Sequence, residues 1–303
     1  MTAVKEKLMR YVFMLTATVS IAAVLLICFF IFSNSIPAIG EIGIINFLFG
    51  KIWDPDLGLY GIFPMIVGSI YVTAGAITVG VPIGLMSAVF MAFYCPAVLY
   101  RPLKSAIELL AGIPSVVYGF FGLVVIVPVI QKIFGTSGKG VLTASLMLGM
   151  MILPTVINIS ESALRSVPGS YYEGALALGA THERSIFKAV IPAARSGILA
   201  GVILGVGRAI GETMAVILIA GNQTVIPESI LSGVRTMTAH IVMEMGYAQD
   251  LHREALIATA AVLFVFILII NLCFSAVKSG TSRESRKKKT ERNAGNGGAV
   301  NER

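Results

Sequence analysis

Two side chains of opposite charge, Arg208 and Glu212, stand inside an apolar run over 197–220. An arginine at the centre of a bilayer costs about 2.5–3.5 kcal/mol on insertion scales, so its presence calls for a partner or a task. Counted along a helix, Arg208 lies about 17 Å from the start of that run, too deep to snorkel to the interface. Glu212 falls one helical turn further along the same face. One reading is a closed ion pair that packs a helix bundle. The other is an anion path. The planar guanidinium fork of Arg208 matches an oxyanion and keeps its charge at any relevant pH. Glu212 would hold it in place and repel the anion, so that binding never becomes a trap. The neighbouring hydroxyl of Thr213 joins this set. So do Ser115, where Pro114 interrupts another apolar run and frees backbone groups, and Tyr118, which either packs or lines the path.

A second constellation lies over 161–196, between two apolar runs. Pro168-Gly169 is a turn signal. Ser170 and Glu173 have the spacing of a capping box, which predicts a helix over 171–178. Gly179 suits a left-handed helix end. Thr181 can cap a second helix, in which Ile186, Phe187, Val190 and Ile191 share a face and which Pro192 ends. Two short helices with apolar faces directed into water need a partner protein, or else fold back on their own bundle. Asn158 and Glu161, just before this loop, are read as its support.

These residues must be positioned by membrane helices. Of the 303 residues, 56% are apolar and 13% charged, against about 25% charged in soluble domains. That excludes a soluble globular protein and a disordered one. Three Cys and three His, scattered in or near apolar runs, offer neither a disulfide framework nor metal-ligand spacing. Runs long enough to span a bilayer lie over 11–33, 63–95, 106–130, 140–160, 197–220 and 255–277. The second, with Gly80 and Pro82 inside it, is read as one long or kinked helix. The chain divides into an N-terminal anchor and loop (1–62), a membrane domain (63–277, with the loop at 168–195) and a basic tail (278–303), expected to be disordered from Ser279 onward. The external stretch 221–254, with periodic Ile230, Val234, Met237 and Ile241, predicts a short interfacial helix. Lys and Arg number seventeen on the side of both termini and five on the other, which places both termini in the cytoplasm. Next to membrane spans, the basic ends read as topology signals with attraction to anionic lipid, not as a nucleic-acid surface.

The loop residues carry a resemblance. Glu173-Gly174-Ala175, Gly179, Ala189, Ile191 and Pro192 resemble the coupling loop of type 1 ABC importer permeases (EAA, three residues, G, nine residues, I-x-L-P), departing at Gly174, Ala189 and Ile191. The resemblance runs over about 63–277. It is finer around Gly112–Gly119 (GIPSVVYG) and Arg208–Val216 (RAIGETMAV), with Trp53 and Tyr60-Gly61-Ile62. These are similar to the PstC-type permease subunits of phosphate importers. It implies an all-α polytopic membrane protein with the six-helix, MetI-like bundle, in the plasma membrane of a prokaryote. It also implies a PstA-like second permease subunit, two ATP-binding subunits held at Glu173, Gly174, Ala175, Gly179, Ile186, Phe187, Ile191 and Pro192, and an external phosphate-binding protein. No Gly-x-x-x-x-Gly-Lys-Ser/Thr loop occurs, so ATP is expected on the partners, with no cofactor on this chain and no enzymatic activity of its own. A molybdate or sulfate permease is the nearest alternative, and an ion-coupled secondary transporter a more distant one.

Overall fold

In a bilayer the backbone has no water to bond, so each apolar run closes its own hydrogen bonds as helix. A computed structural model describes the backbone of residues 2–297 and the side chains of residues 5–273. Among the described residues, six helices are long and apolar enough to cross a membrane. In chain order, α1 is Thr2–Ile42 and α2 is Ile44–Phe49. A small hairpin follows, β1 (Trp53–Asp54) pairing antiparallel with β2 (Leu59–Tyr60). Then come α3 (Phe63–Tyr94), α4 (Ala97–Gly112), α5 (Ser115–Phe134) and α6 (Val141–Arg165). The loop helix α7 is Gly169–Ala177, and α8 is His182–Gly211. The chain closes with α9 (Met214–Ile219), α10 (Met237–Glu244) and α11 (Asp250–Gly297).

Three apolar cores hold the bundle together. The central one joins α3, α5, α6 and α9 through Val72, Ala76, Met147, Ile152 and Ile219. A second joins α1, the hairpin, α10 and α11 through Ala38, Phe47, Trp53, Met237 and Leu256. The third lies at the opposite end of the bundle, where α7 and the start of α8 meet the end of α3, α4 and α6 around Ile157, Leu164, Ile186 and Val190. The two ends are called here the hairpin end and the loop end.

The structure moves several expected boundaries. The third span is not 106–130: the chain breaks at Ile113, whose backbone is extended (φ −69°, ψ 127°), because a residue before proline is pushed out of the helical region. The span begins afresh at Ser115, and α4 is a separate helix. The second loop helix does not end at Pro192. Pro192 lies inside the continuous helix, directly after a π-helical turn over Ile186–Val190; π-bulges are a usual accompaniment of such a locally broken hydrogen-bond ladder. The loop therefore runs without interruption into the fifth span. The periodic stretch 230–241 is helical only from Met237, since Val234 lies in a β-bridge with Gly221. Finally, the backbone of α11 continues as helix to Gly297 instead of becoming disordered at Ser279. Lys, Arg and Glu are good helix formers, and here they follow directly on a span.

Candidate functional site

Two helices are interrupted. The α5 helix begins after Ile113 and Pro114. The α8 helix ends at Gly211, and Glu212 is extended (φ −69°, ψ 131°) before α9 resumes at Met214. The two resumed helices run side by side. A Cβ built on Gly119 would stand 2.7 Å from Ala215 Cα, and one on Gly122 would stand 3.1 Å from the Ile219 side chain. Only glycine permits this approach. Ser115, at the start of α5, is one turn before Gly119, and Glu212, in the break between α8 and α9, is three residues before Ala215. Both breaks thus lie close to the contact of α5 with α9, and Arg208 is in the last turn of α8.

Arg208 is partly buried. Tyr118 is buried and donates its hydroxyl to the Leu110 carbonyl at 2.9 Å, reaching back across the break to the end of α4. Open space surrounds Gly112, Gly207 and Gly211, each of which could carry a Cβ without meeting another atom within 4 Å. Ser115 and Thr213 are partly exposed. This corrects the expected relation of Arg208 and Glu212. They are not one turn apart on a continuous helix, because the helix stops between them, and they form no ion pair among the described residues. Glu212 instead accepts the Ala215 N–H at 3.2 Å and so caps α9, while Thr213 Oγ1 donates to the Gly211 carbonyl. Arg208 is left with its fork available at a place where two helices expose backbone.

At the loop end the turn is as read: Gly179 has φ +82° and Thr181 accepts the Arg184 N–H. The capping box is absent. Pro168 occupies the N-cap of α7 and no side chain caps it. Tyr172 and His182 Nδ1 close the two loop helices on each other at 2.7 Å. The apolar face divides. Ile186 is fully buried and fastens the loop to the bundle, so it is not available to a partner, while the partly buried Ile191 packs on the same core. Phe187, Tyr171, Leu176 and Leu178 are exposed, Leu178 to 90%. Glu173, Gly174, Gly179 and Pro192 are exposed beside them, with Ala175 partly so.

Sequence reasoning missed a polar cluster at the hairpin end. Glu244 is its hub. It accepts the Trp53 indole N–H at 2.8 Å, meets His252 Nε2 at 2.9 Å and forms an ion pair with Arg235. Arg235 also donates to the Asn222 carbonyl, and the fully buried His240 stacks edge-on against Trp53. Burial pushes the Glu244 carboxyl up, but His240, His252, Trp53 and Arg235 outweigh it and hold it below the usual carboxylate value. The cluster borders an open cleft of about 690 Å³. The only sequence signal was charge inside an otherwise apolar external stretch.

Apart from the small hairpin the chain is a helical bundle with six candidate spans, two helices interrupted near their ends and an exposed helical loop at one end. A family described as the binding-protein-dependent transport system inner membrane component matches residues 80–283, and the chain belongs to it. It is 40% identical over 244 residues to the probable ABC transporter permease protein YqgH of Bacillus subtilis, covering 77% of this chain and 79% of that protein. It is 36% identical over 261 residues to the phosphate transport system permease protein PstC of Mesorhizobium japonicum, covering 79% and 80%. Its fold resembles a chain of the inward-facing MetNI methionine ABC transporter, with a TM-score of 0.58 at 19% identity, covering 76% of this chain and 99% of that one. The six-span, MetI-like architecture is therefore that of the family, and the chain is a multi-pass membrane protein.

Proposed function

We propose that this chain is one membrane-spanning subunit of an ATP-driven inorganic phosphate importer, and that phosphate crosses the membrane past Arg208. The observation that carries this reading is the closeness of the two helix breaks to a partly buried arginine that has no carboxylate partner among the described residues. A single guanidinium can hold an oxyanion by two parallel hydrogen bonds. Freed backbone at membrane depth is tolerated where it lines a cavity. One charge and partial exposure give binding that is neither absent nor permanent. Ser115, Thr213 and Tyr118 border the same place, and Glu212 contributes by capping α9 and thereby fixing the break.

A second, PstA-like permease subunit completes the pathway across the open face at Gly112, Gly207 and Gly211. Two ATP-binding subunits dock on the loop end through Glu173, Gly174, Ala175, Gly179 and Phe187. ATP is bound and hydrolysed there, with no cofactor on this chain. An external binding protein delivers phosphate at the hairpin end. The chain lies in the plasma membrane of a prokaryote with both termini in the cytoplasm. Because α8 is continuous from the loop to Gly211, a push on the loop helices is delivered along one rigid rod to the turn that carries Arg208, and alternating access follows from two positions of that rod.

The test is labelled-phosphate uptake at low external phosphate, in cells lacking the gene and in the same cells with it restored. Uptake that returns with the gene and is unaffected by excess sulfate or molybdate supports the assignment. Competition by either anion would move the reading to another oxyanion permease. Uptake by the purified chain alone in liposomes would point to a secondary transporter.

A further inference from the structure

Glu161 is 2% exposed, and its carboxylate accepts from three side chains. Tyr100 donates its hydroxyl at 2.7 Å, Lys104 its ammonium at 2.8 Å and Arg165 its Nε–H at 2.8 Å. Arg165 continues to the carbonyl of Met91 in the last turn of α3 at 2.7 Å and lies over the Tyr100 ring at 4.7 Å. Lys104 also reaches Asn158 at 2.8 Å. Glu161 and Asn158 therefore do not hold the loop directly, as their position in the sequence suggests. They bind α4 and the end of α3 to α6.

The α4 helix needs such a tie. No residue along it is fully buried, and Val98, Leu99, Leu109 and Leu110 are exposed, so only the partly buried Tyr100, Leu103 and Ile107 pack it on the third core. It is nevertheless the element that leads into the Ile113–Pro114 break, and its Leu110 carbonyl holds Tyr118 at the start of α5. At the other end, α6 shares with the loop helices the core around Leu164, Ile186 and Val190. A buried carboxylate that accepts from two donors on α4 and from an arginine on its own helix, which in turn reaches α3, gives a stiff joint, because losing any one donor leaves charge less compensated at low dielectric.

We propose that Glu161 is a positioning residue for transport: it locks α4 to the α6–loop body, so that movement of the docked loop also moves the Ile113–Pro114 break and Tyr118 relative to Arg208. The α8 rod moves one side of the paired break and the Glu161 joint moves the other. This inference rests on the reading of the chain as an ATP-driven permease.

The experiment uses the complete transporter in proteoliposomes and measures phosphate uptake and ATP hydrolysis on the same preparation. Glu161→Gln is expected to lower phosphate taken up per ATP hydrolysed by about 2- to 30-fold, the range over which network residues alter coupling. Lys104→Met keeps the apolar stem and leaves the Glu161–Arg165 pair intact, and it is expected to lower the same ratio; it decides the question where Glu161→Gln fails to assemble. Glu161→Asp, which keeps the charge, is expected to recover part of the ratio. A wild-type ratio in Lys104→Met, or in assembled Glu161→Gln, would show a tie that is only structural and would overturn the proposal. A wild-type assembly that takes up no phosphate with ATP overturns the functional reading itself.

Discussion

Thr238 donates its hydroxyl to the backbone carbonyl of Glu212 at 3.0 Å, so the short α10 helix is seated directly on the interruption of the fifth span. Met237 N–H, one residue earlier, bonds Ser69 Oγ of α3 at 2.9 Å. The far end of the same eight-residue helix is Glu244, tied to Trp53 of the hairpin and His252 of α11. The hairpin end is thus one hydrogen-bonded cap with its foot on the break at Glu212. Glu161 occupies the corresponding position at the loop end, and a buried carboxylate organises each end of the bundle.

Removing the hub of the cap leaves Arg235 buried without its counter-ion. Loss of one partner of a buried pair costs about 3–5 kcal/mol, so Glu244→Gln is expected to lower the thermal unfolding midpoint of the detergent-solubilised protein clearly. Trp53→Phe, which removes one indole hydrogen bond and keeps a ring against His240, is expected to cost about 1–3 kcal/mol. Equal midpoints for wild type and Glu244→Gln would refute the role given to this carboxylate.

The cap is also acid-sensitive. Burial drives the His240 imidazole from 6.5 down to about 3, against the attraction of Glu244 and with the repulsion of Arg235 and His252. The unfolded chain takes up a proton at His240 below its ordinary value while the folded chain stays neutral, so stability falls as pH drops from 6.5 towards about 3. Glu244, held below the usual carboxylate value, adds its loss as pH falls through its own depressed value. Unfolding midpoints recorded across this range should decline less steeply in His240→Gln than in wild type. Parallel curves would exclude His240 as the source.

The contact of α5 with α9 leaves no room for a side chain at Gly119. Gly119→Ala places a methyl 2.7 Å from Ala215 Cα, and overpacking of this kind costs about 1–3 kcal/mol. Because the two breaks are aligned by this contact, uptake should fall further than protein abundance does. Gly112→Ala, where a Cβ meets nothing, should leave the isolated chain's stability unchanged within about 0.5 kcal/mol. Abundance and uptake falling in proportion for Gly119→Ala would deny the alignment a functional part.

On the loop, Leu178 is 90% exposed and Glu173 is exposed. Leu178→Asp and Glu173→Lys should leave the fold intact to within about 0.5 kcal/mol, yet reduce the amount of ATP-binding subunit that co-purifies with the permease. Co-purification at the wild-type level in both variants would remove these residues from the docking surface.

Much of this was legible in the sequence. Six apolar runs fix six spans, and Gly179 and Thr181 fix the turn between the loop helices, because bilayer thickness, left-handed backbone and N-caps each demand a residue type. What was not legible depended on contacts across the bundle. Arg208 and Glu212 have ideal helical spacing, and nothing local announces that the helix stops at Gly211. Ile186, Phe187 and Ile191 look alike as apolar loop residues, and only the packing at the loop end separates buried anchors from exposed contacts. Glu161 and Glu244 find partners as far as 61 and 191 residues away in the chain, distances over which periodicity carries no information.

The most direct measurement compares phosphate uptake by assembled transporters carrying Arg208→Ala and Arg208→Lys with wild type, while recording ATP-subunit binding. Loss of hydrogen bonds to a charged group costs about 1.5–3 kcal/mol, so Arg208→Ala should lose about 10- to 150-fold in uptake with its partners still bound. Lysine, a point charge without the planar fork, should restore only part of that loss. Wild-type uptake by Arg208→Ala would contradict the account, since phosphate would then cross without the guanidinium beside the α8 break.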